Sequence, residues 1–328
     1  MCCYKQEKHE RIKSNLENKL KKAPTFIADY FYTQDSAATS NCYWTYIRDL
    51  LEWLINNGYI QKNSIKEITP SDMDGIRQAN VQRYLNDLKR GNGCKKISQD
   101  SVSVRKNIYS AFWGWMERNH YVKENVVYEL QYKKKKRRNS NIKVPSKEQM
   151  ENFISNIDMC GSDFLKYRNR AIIFLFSDSG IRSEELLTLN IDDVCFDKNH
   201  PYVTILGKGY YEEDDKEKVY ISRVARDAIV EYLKYRKDNC KNETEEALFI
   251  SEWGNRLSKT SMTSFFKRYS NGQINPHMLR HYCGSKLYKD TNNIMLVKEH
   301  LRHSSVKITE RHYVKIEESD LAMAICGK

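Results

Sequence analysis

Residues 133–138 read Lys-Lys-Lys-Lys-Arg-Arg, six cations in succession, followed by Asn139-Ser140-Asn141. No packed core accepts such a run, because the charges repel one another and each would have to leave water. The run therefore stands outside any core and divides the 328 residues in two. Each half is near the ~150 residues of an ordinary domain and can bury a core of its own. The expected organisation is an N-terminal helical domain over residues 1–131, a basic linker over 132–143 and a C-terminal domain over 144–328. As a tether along a duplex, Lys133, Lys134, Lys135, Lys136, Arg137 and Arg138 would neutralise phosphates and release counterions.

Hydrophobic periodicity gives each half a character. Residues 5–22 carry seven cations and predict a solvated helix that frays. From Ser40 to Asn57 the residues Trp44, Ile47, Leu51 and Leu54 form one helical face, and Gly58 supplies a left-handed stop. Thr69-Pro70 reads as a helix start, with the helix continuing through Arg77, Tyr84, Leu85 and Leu88 to Gly91. A further helix over 100–119 is expected to turn Val104, Ile108, Phe112 and Trp115 inward and Arg105 and Lys106 outward. Residues 24–130 thus predict a bundle of four or five short helices, its tryptophans and phenylalanines in the core. Arg105 and Lys106 are candidate phosphate contacts.

In the second half, Ser146 and Gln149 make a capping box. Tyr167 to Ser179 predicts a central helix around Ala171-Ile172-Ile173-Phe174-Leu175-Phe176, ended by Gly180. Tyr202 to Leu206 is β-like, with Lys218 to Ser222 as its expected partner across a polar turn. Helices follow over 223–237, over 258–269 and to the end. The fold class is mainly α with a small antiparallel β-sheet (α+β).

The 55 Lys and Arg outnumber the 43 Asp and Glu, a net charge of +12, which suits a polyanionic partner. No apolar run approaches the ~20 residues of a membrane span. The N-terminus has no secretory core. The nine cysteines are odd in number and lack a C-x-x-C pair, so reduced thiols in a cytoplasmic protein are expected rather than disulfides or a zinc knuckle.

Chemistry concentrates near the C-terminus. The motifs are Pro276-His277-Met278-Leu279-Arg280-His281, then His300-Leu301-Arg302-His303-Ser304-Ser305, then Thr309-Glu310-Arg311-His312-Tyr313. A further arginine motif lies upstream, Gly180-Ile181-Arg182-Ser183-Glu184-Glu185-Leu186. Guanidinium forks bind phosphate oxygens and stay charged; histidine exchanges protons near neutrality; a tyrosine oxygen can hold a covalent intermediate. Arg182 and Arg280 are the candidates to stabilise charge on a transferring phosphoryl group. His277, three residues before Arg280, shares its helical face and could accept a proton. His277 and His281 are also spaced as in zinc helices, but arginines interleave the histidines and no H-E-x-x-H pattern exists, so no metal is expected.

The four boxes, in this order, resemble the tyrosine recombinases, or phage-integrase family, whose motifs look like G-[LIM]-R-x-[ST]-E-L, H-x-L-R-H, L-G-H-S-S and a final tyrosine. The resemblance spans roughly residues 145–315 by motif and the N-terminal half by helix pattern. It implies a two-domain, C-shaped clamp on double-stranded DNA, whose N-terminal helical part is the core-binding (SAM-like) domain. It also implies a homotetramer in the synaptic complex and strand exchange through a 3′-phosphotyrosine, without metal, ATP or other cofactor. By box position, Tyr313 is the nucleophile, Lys208 the general acid on the leaving hydroxyl (with Lys216 and Lys218 as nearby competitors), His303 a donor to a non-bridging oxygen and Glu185 a supporting carboxylate. Three departures stand out. Glu184 occupies a Ser/Thr position. Arg302 replaces a glycine and could put another cation at the DNA. Tyr313 lies ten residues after His303, where nine is commoner and would fall on His312. A type IB topoisomerase would use the same bond chemistry. A DNA-binding regulator with a vestigial site would use none.

Overall fold

The structure, a computed structural model, describes residues 4–34, 36–130, 143–207, 216–241 and 245–313, without the side chains of 308 and 311–313. The chain forms two compact units, Met1–Asn139 and Ser140–Lys328. Among the described residues no helix is long and apolar enough to cross a membrane.

The first unit is a helical bundle: α1 (Tyr4–Leu20), α2 (Thr25–Tyr32), α3 (Ala37–Asn56), α4 (Pro70–Asp74), α5 (Gln78–Arg90) and α6 (Gln99–Arg118). Ser36 caps α3 through the Thr39 amide, and Gly58 follows it at φ 74°, the left-handed turn its missing Cβ permits. Ile47, Leu50, Leu51 and Leu54 of α3 are fully buried with Val81, Leu85, Phe112 and Trp113.

Four expectations are corrected here. The N-terminal helix is not merely solvated: Leu16 and Leu20 are buried and α1 packs on α3. The helix expected from Thr69 to Gly91 is two helices. Thr69 and Asp72 complete a capping box around a single short turn that stops at Gly75. The chain then restarts where the Arg77 amide donates to Asn80 Oδ1 at 2.8 Å. Val104 is exposed, because α6 buries Val102, Tyr109 and Met116 beside Ile108 and Phe112. Arg105 does not point outward. Its side chain is 15% exposed with Nη1 3.6 Å from Asp49. The same Nη1 donates to Tyr84 Oη at 3.3 Å, and the guanidinium stacks 4.3 Å from the Tyr46 ring centroid. Buried rings and a carboxylate draw it in. Lys106 reaches the Tyr128 carbonyl at 3.4 Å on the exposed side. Lys133, Lys134, Lys135, Lys136, Arg137 and Arg138 lie outside the described residues.

The second unit holds α7 (Lys147–Asp158), α8 (Asp163–Ser179), α9 (Ser183–Thr188), β1 (Val194–Cys195), β2 (Tyr202–Leu206), β3 (Lys216–Tyr220), α10 (Arg223–Asn239), α11 (Lys259–Tyr269), α12 (Pro276–Thr291), α13 (Ile294–Leu301) and α14 (Val306–Tyr313). Helix α8 is central. Ala171, Ile172, Ile173, Leu175 and Phe176 are buried, and α7, α10 and α12 pack around it. The sheet is antiparallel in the order β1-β2-β3. Strand β3 begins two residues before the expected Lys218. Its register sets Val219 against Val203, both buried, and Lys216 is anchored to Asp193 at 2.8 Å. A strand's register follows its inward residues, and Val219 is the inward one.

Candidate active site

Four stretches of the second unit converge, and Arg280 is the stitch. It lies on α12, whose start is fixed by Asn275 accepting from the Met278 amide and by Pro276 in the first turn. The residue is 4% exposed. Nη1 donates to the Gly180 carbonyl and Nη2 to the Leu301 carbonyl. One cation thus ties the chain just before Arg182 to the chain just before Arg302. The alternative is two buried carbonyls without donors, which is costly.

Gly180 ends α8 in the left-handed region at φ 57°. A Cβ there would strike Leu301 and sit 3.3 Å from Cys283 Sγ, so the turn and the approach of α13 both need glycine. The turn makes Arg182 the N-cap residue of α9. Its amide donates to Glu185 Oε2 and its Nη1 to Glu185 Oε1, both at 2.7 Å. Arg182 remains 42% exposed while Glu185 is 5% exposed. Burial would raise the Glu185 pKa, but the Arg302 charge and the hydrogen bonds from Arg182 outweigh it, and the carboxyl is held below its usual range.

Arg302 caps α13 with φ 54° and ψ 50°. Its Nη2 meets Glu185 Oε2 at 2.7 Å and the side chain is 13% exposed. The expectation that this cation faces DNA is therefore corrected: the buried carboxylate draws it into the protein. His303 bonds through Nδ1 to Thr309 Oγ1 at 2.9 Å. Thr309 is fully buried on α14, so this bond fixes the last helix to the turn after α13.

His277 and His281 meet at 3.1 Å through their Nε2 atoms, so one ring donates to the other. Burial depresses the His277 pKa, and the Arg280 and Arg182 charges depress it further. It is therefore a neutral imidazole near pH 7, able to take a proton. Among the described residues no three His, Cys, Asp or Glu side chains converge as a metal site. For Tyr313 the backbone is described, as the last residue of α14; its side chain lies outside the description. Lys208 lies outside the described residues. Of the lysines that could substitute for it, Lys216 pairs with Asp193 and Lys218 lies 4.8 Å from the Tyr202 ring centroid.

Two contributors were missed. His300 donates through Nε2 to the Asp178 carbonyl at 2.8 Å, and burial lowers its pKa. Thr309 anchors His303. Histidine at 300 sits in a quoted motif, but nothing in its spacing marks a partner 122 residues away.

The chain matches the sequence model described as the Phage integrase family over residues 143–319. It is 25% identical over 360 aligned residues to tyrosine recombinase XerS of Streptococcus agalactiae serotype III (strain NEM316), covering 95% of this chain and 98% of that one. It is 23% identical to XerS of Lactococcus lactis subsp. cremoris (strain SK11), covering 95% and 97%. Among solved structures, it is similar to the XerH site-specific recombinase bound to a palindromic difH substrate, at 20% identity and a TM-score of 0.65 over 89% of this chain and 81% of that one. It is also similar to the Tn1549 transposon integrase in complex with a circular intermediate DNA, at 14% identity and a TM-score of 0.61 over 85% and 98%.

Proposed function

The chain belongs to the phage integrase family, whose matched relatives are tyrosine recombinases, and from that premise we propose that it is a site-specific recombinase of double-stranded DNA. The phenol oxygen of Tyr313 attacks a backbone phosphorus. The bond from phosphorus to the 5′ oxygen breaks, leaving a 3′-phosphotyrosine and a free 5′ hydroxyl. Attack of a 5′ hydroxyl from a second duplex reverses the step and joins the new strand. Bond count and charge are conserved at each transfer, so no ATP enters, and arginine and histidine side chains supply the charge stabilisation and proton transfer. Neutral His277 accepts the phenol proton. Lys208, by its box position, protonates the leaving oxygen. Arg182 and Arg280 hold the charge that grows on the non-bridging oxygens, and His303 donates to one of them. Four copies on two sites would carry out the exchange in the cytoplasm.

The observation that supports this most is the Arg280 bridge between the Gly180 and Leu301 carbonyls. It draws residues from three separate boxes together beside Arg182, which is open to solvent. The test is a nicked suicide duplex carrying the recombination site. A covalent protein–DNA adduct that is lost in Tyr313→Phe, with binding retained, supports the reading. Binding without adduct would make the protein a regulator. Relaxation without exchange between two sites would make it a topoisomerase.

A further inference from the structure

Arg302 holds a backbone conformation that disfavours it. At φ 54° glycine is at ease and a side chain is strained, and such strain persists only where surrounding contacts over-determine it. Here the contacts are explicit. Nη2 binds Glu185 Oε2 at 2.7 Å, Nη1 donates to the His300 carbonyl at 3.2 Å, and Nε faces Glu217 Oε2 at 3.9 Å. The backbone carbonyl of Arg302 in turn accepts from Arg182 Nη2 at 3.4 Å. Two arginines therefore divide one buried carboxylate, Arg182 on Oε1 and Arg302 on Oε2.

The division matters for what Arg182 can offer. A guanidinium facing a carboxylate with no other partner closes on both oxygens side by side, spending the fork that a phosphate would use. The pair it forms is also neutral overall. With Arg302 on Oε2, Arg182 gives Glu185 a single side-chain contact, and the trio of Arg182, Glu185 and Arg302 carries a net positive charge.

We propose that Arg302 is a positioning residue for the strand-transfer reaction: its side chain neutralises Glu185 at Oε2 while its carbonyl accepts from Arg182 Nη2, so that Arg182 is held in place and its charge stays available to the scissile phosphate. The proposal rests on the recombinase reading above.

The test measures single-turnover cleavage of the suicide duplex at saturating protein, with the dissociation constant of the same duplex measured separately. The full chain is compared with Arg302→Gly, Arg302→Lys, Glu185→Gln and the double variant Arg302→Gly/Glu185→Gln. Glycine suits the left-handed backbone, so Arg302→Gly keeps the turn, and a thermal melt confirms folding. Expected for Arg302→Gly is a cleavage rate lower by roughly 10- to 100-fold, less than the loss of a direct oxyanion donor can cost. The dissociation constant stays within about twofold, because the Arg302 side chain is buried against Glu185. Arg302→Lys recovers part of the rate. In the Glu185→Gln background the glycine substitution adds little, because the anion it exposes is gone. Wild-type cleavage by Arg302→Gly, or an undiminished loss in the Glu185→Gln background, overturns the proposal while leaving the recombinase reading intact. Absence of adduct from the unaltered protein would overturn that reading and the proposal with it.

Discussion

At the scale of single residues, Glu185 balances the site. A carboxylate this buried is tolerated only because two guanidinium groups and an amide serve it. Removing one partner of such a set leaves a buried charge uncompensated, at a cost of about 3–5 kcal/mol. Glu185→Ala should therefore lower the urea midpoint by that equivalent, and an unchanged midpoint would mean that Arg302 finds water instead. The histidines give a pH dependence with a definite sign. His277 and His300 both have folded pKa values below the ordinary 6.5, so the unfolded chain binds more protons. Stability is then full above about pH 6.5 and falls as the pH drops below it. His300→Asn should flatten part of that slope in a series of urea melts between pH 7 and 5. Arg182, Arg280 and His277 were legible in sequence because motif spacing marks them. The inward turn of Arg302 was not, because the carboxylate that attracts it lies 117 residues away and no local pattern records that pairing.

At the scale of elements, short turns between helices do the positioning. Gly180→Ala would force Cβ into Leu301 and strain a left-handed turn. A destabilisation of about 2–4 kcal/mol is expected, together with slower cleavage, since Arg182 begins at that turn. Thr309 ties helix α14 to His303. Thr309→Val keeps the shape of a fully buried side chain but removes the hydroxyl that meets His303. Cleavage should slow by roughly tenfold, as expected when a positioning hydrogen bond is lost, with duplex affinity unchanged. An unaltered rate would detach that bond from the chemistry. Elements whose ends carry their own chemistry were readable: the Ser146–Gln149 box starts α7 and Gly180 stops α8. Those set by partners were not. The two-residue shift of β3 follows from burial of Val219, which periodicity alone does not locate.

At the scale of the whole molecule, the chain is two units with separate hydrophobic cores, and the six cations of residues 133–138 fall between those cores in sequence. We propose that this run crosses the DNA backbone as a tether. Replacing all six with neutral residues should then reduce the slope of log affinity against log salt by up to about five. An unchanged slope would remove them from the duplex. The helical class was visible from periodicity, a property of local sequence. The convergence of the boxes was not, because Arg280 joins Gly180 and Leu301 only when the unit is folded. The most direct measurement is mass-spectrometric mapping of the protein trapped on its suicide duplex in the presence of EDTA. Attack by Tyr313 predicts one modified peptide bearing a 3′-phosphonucleotide on that tyrosine, with undiminished yield. A modified residue elsewhere, or an adduct that forms only with added metal, would contradict it.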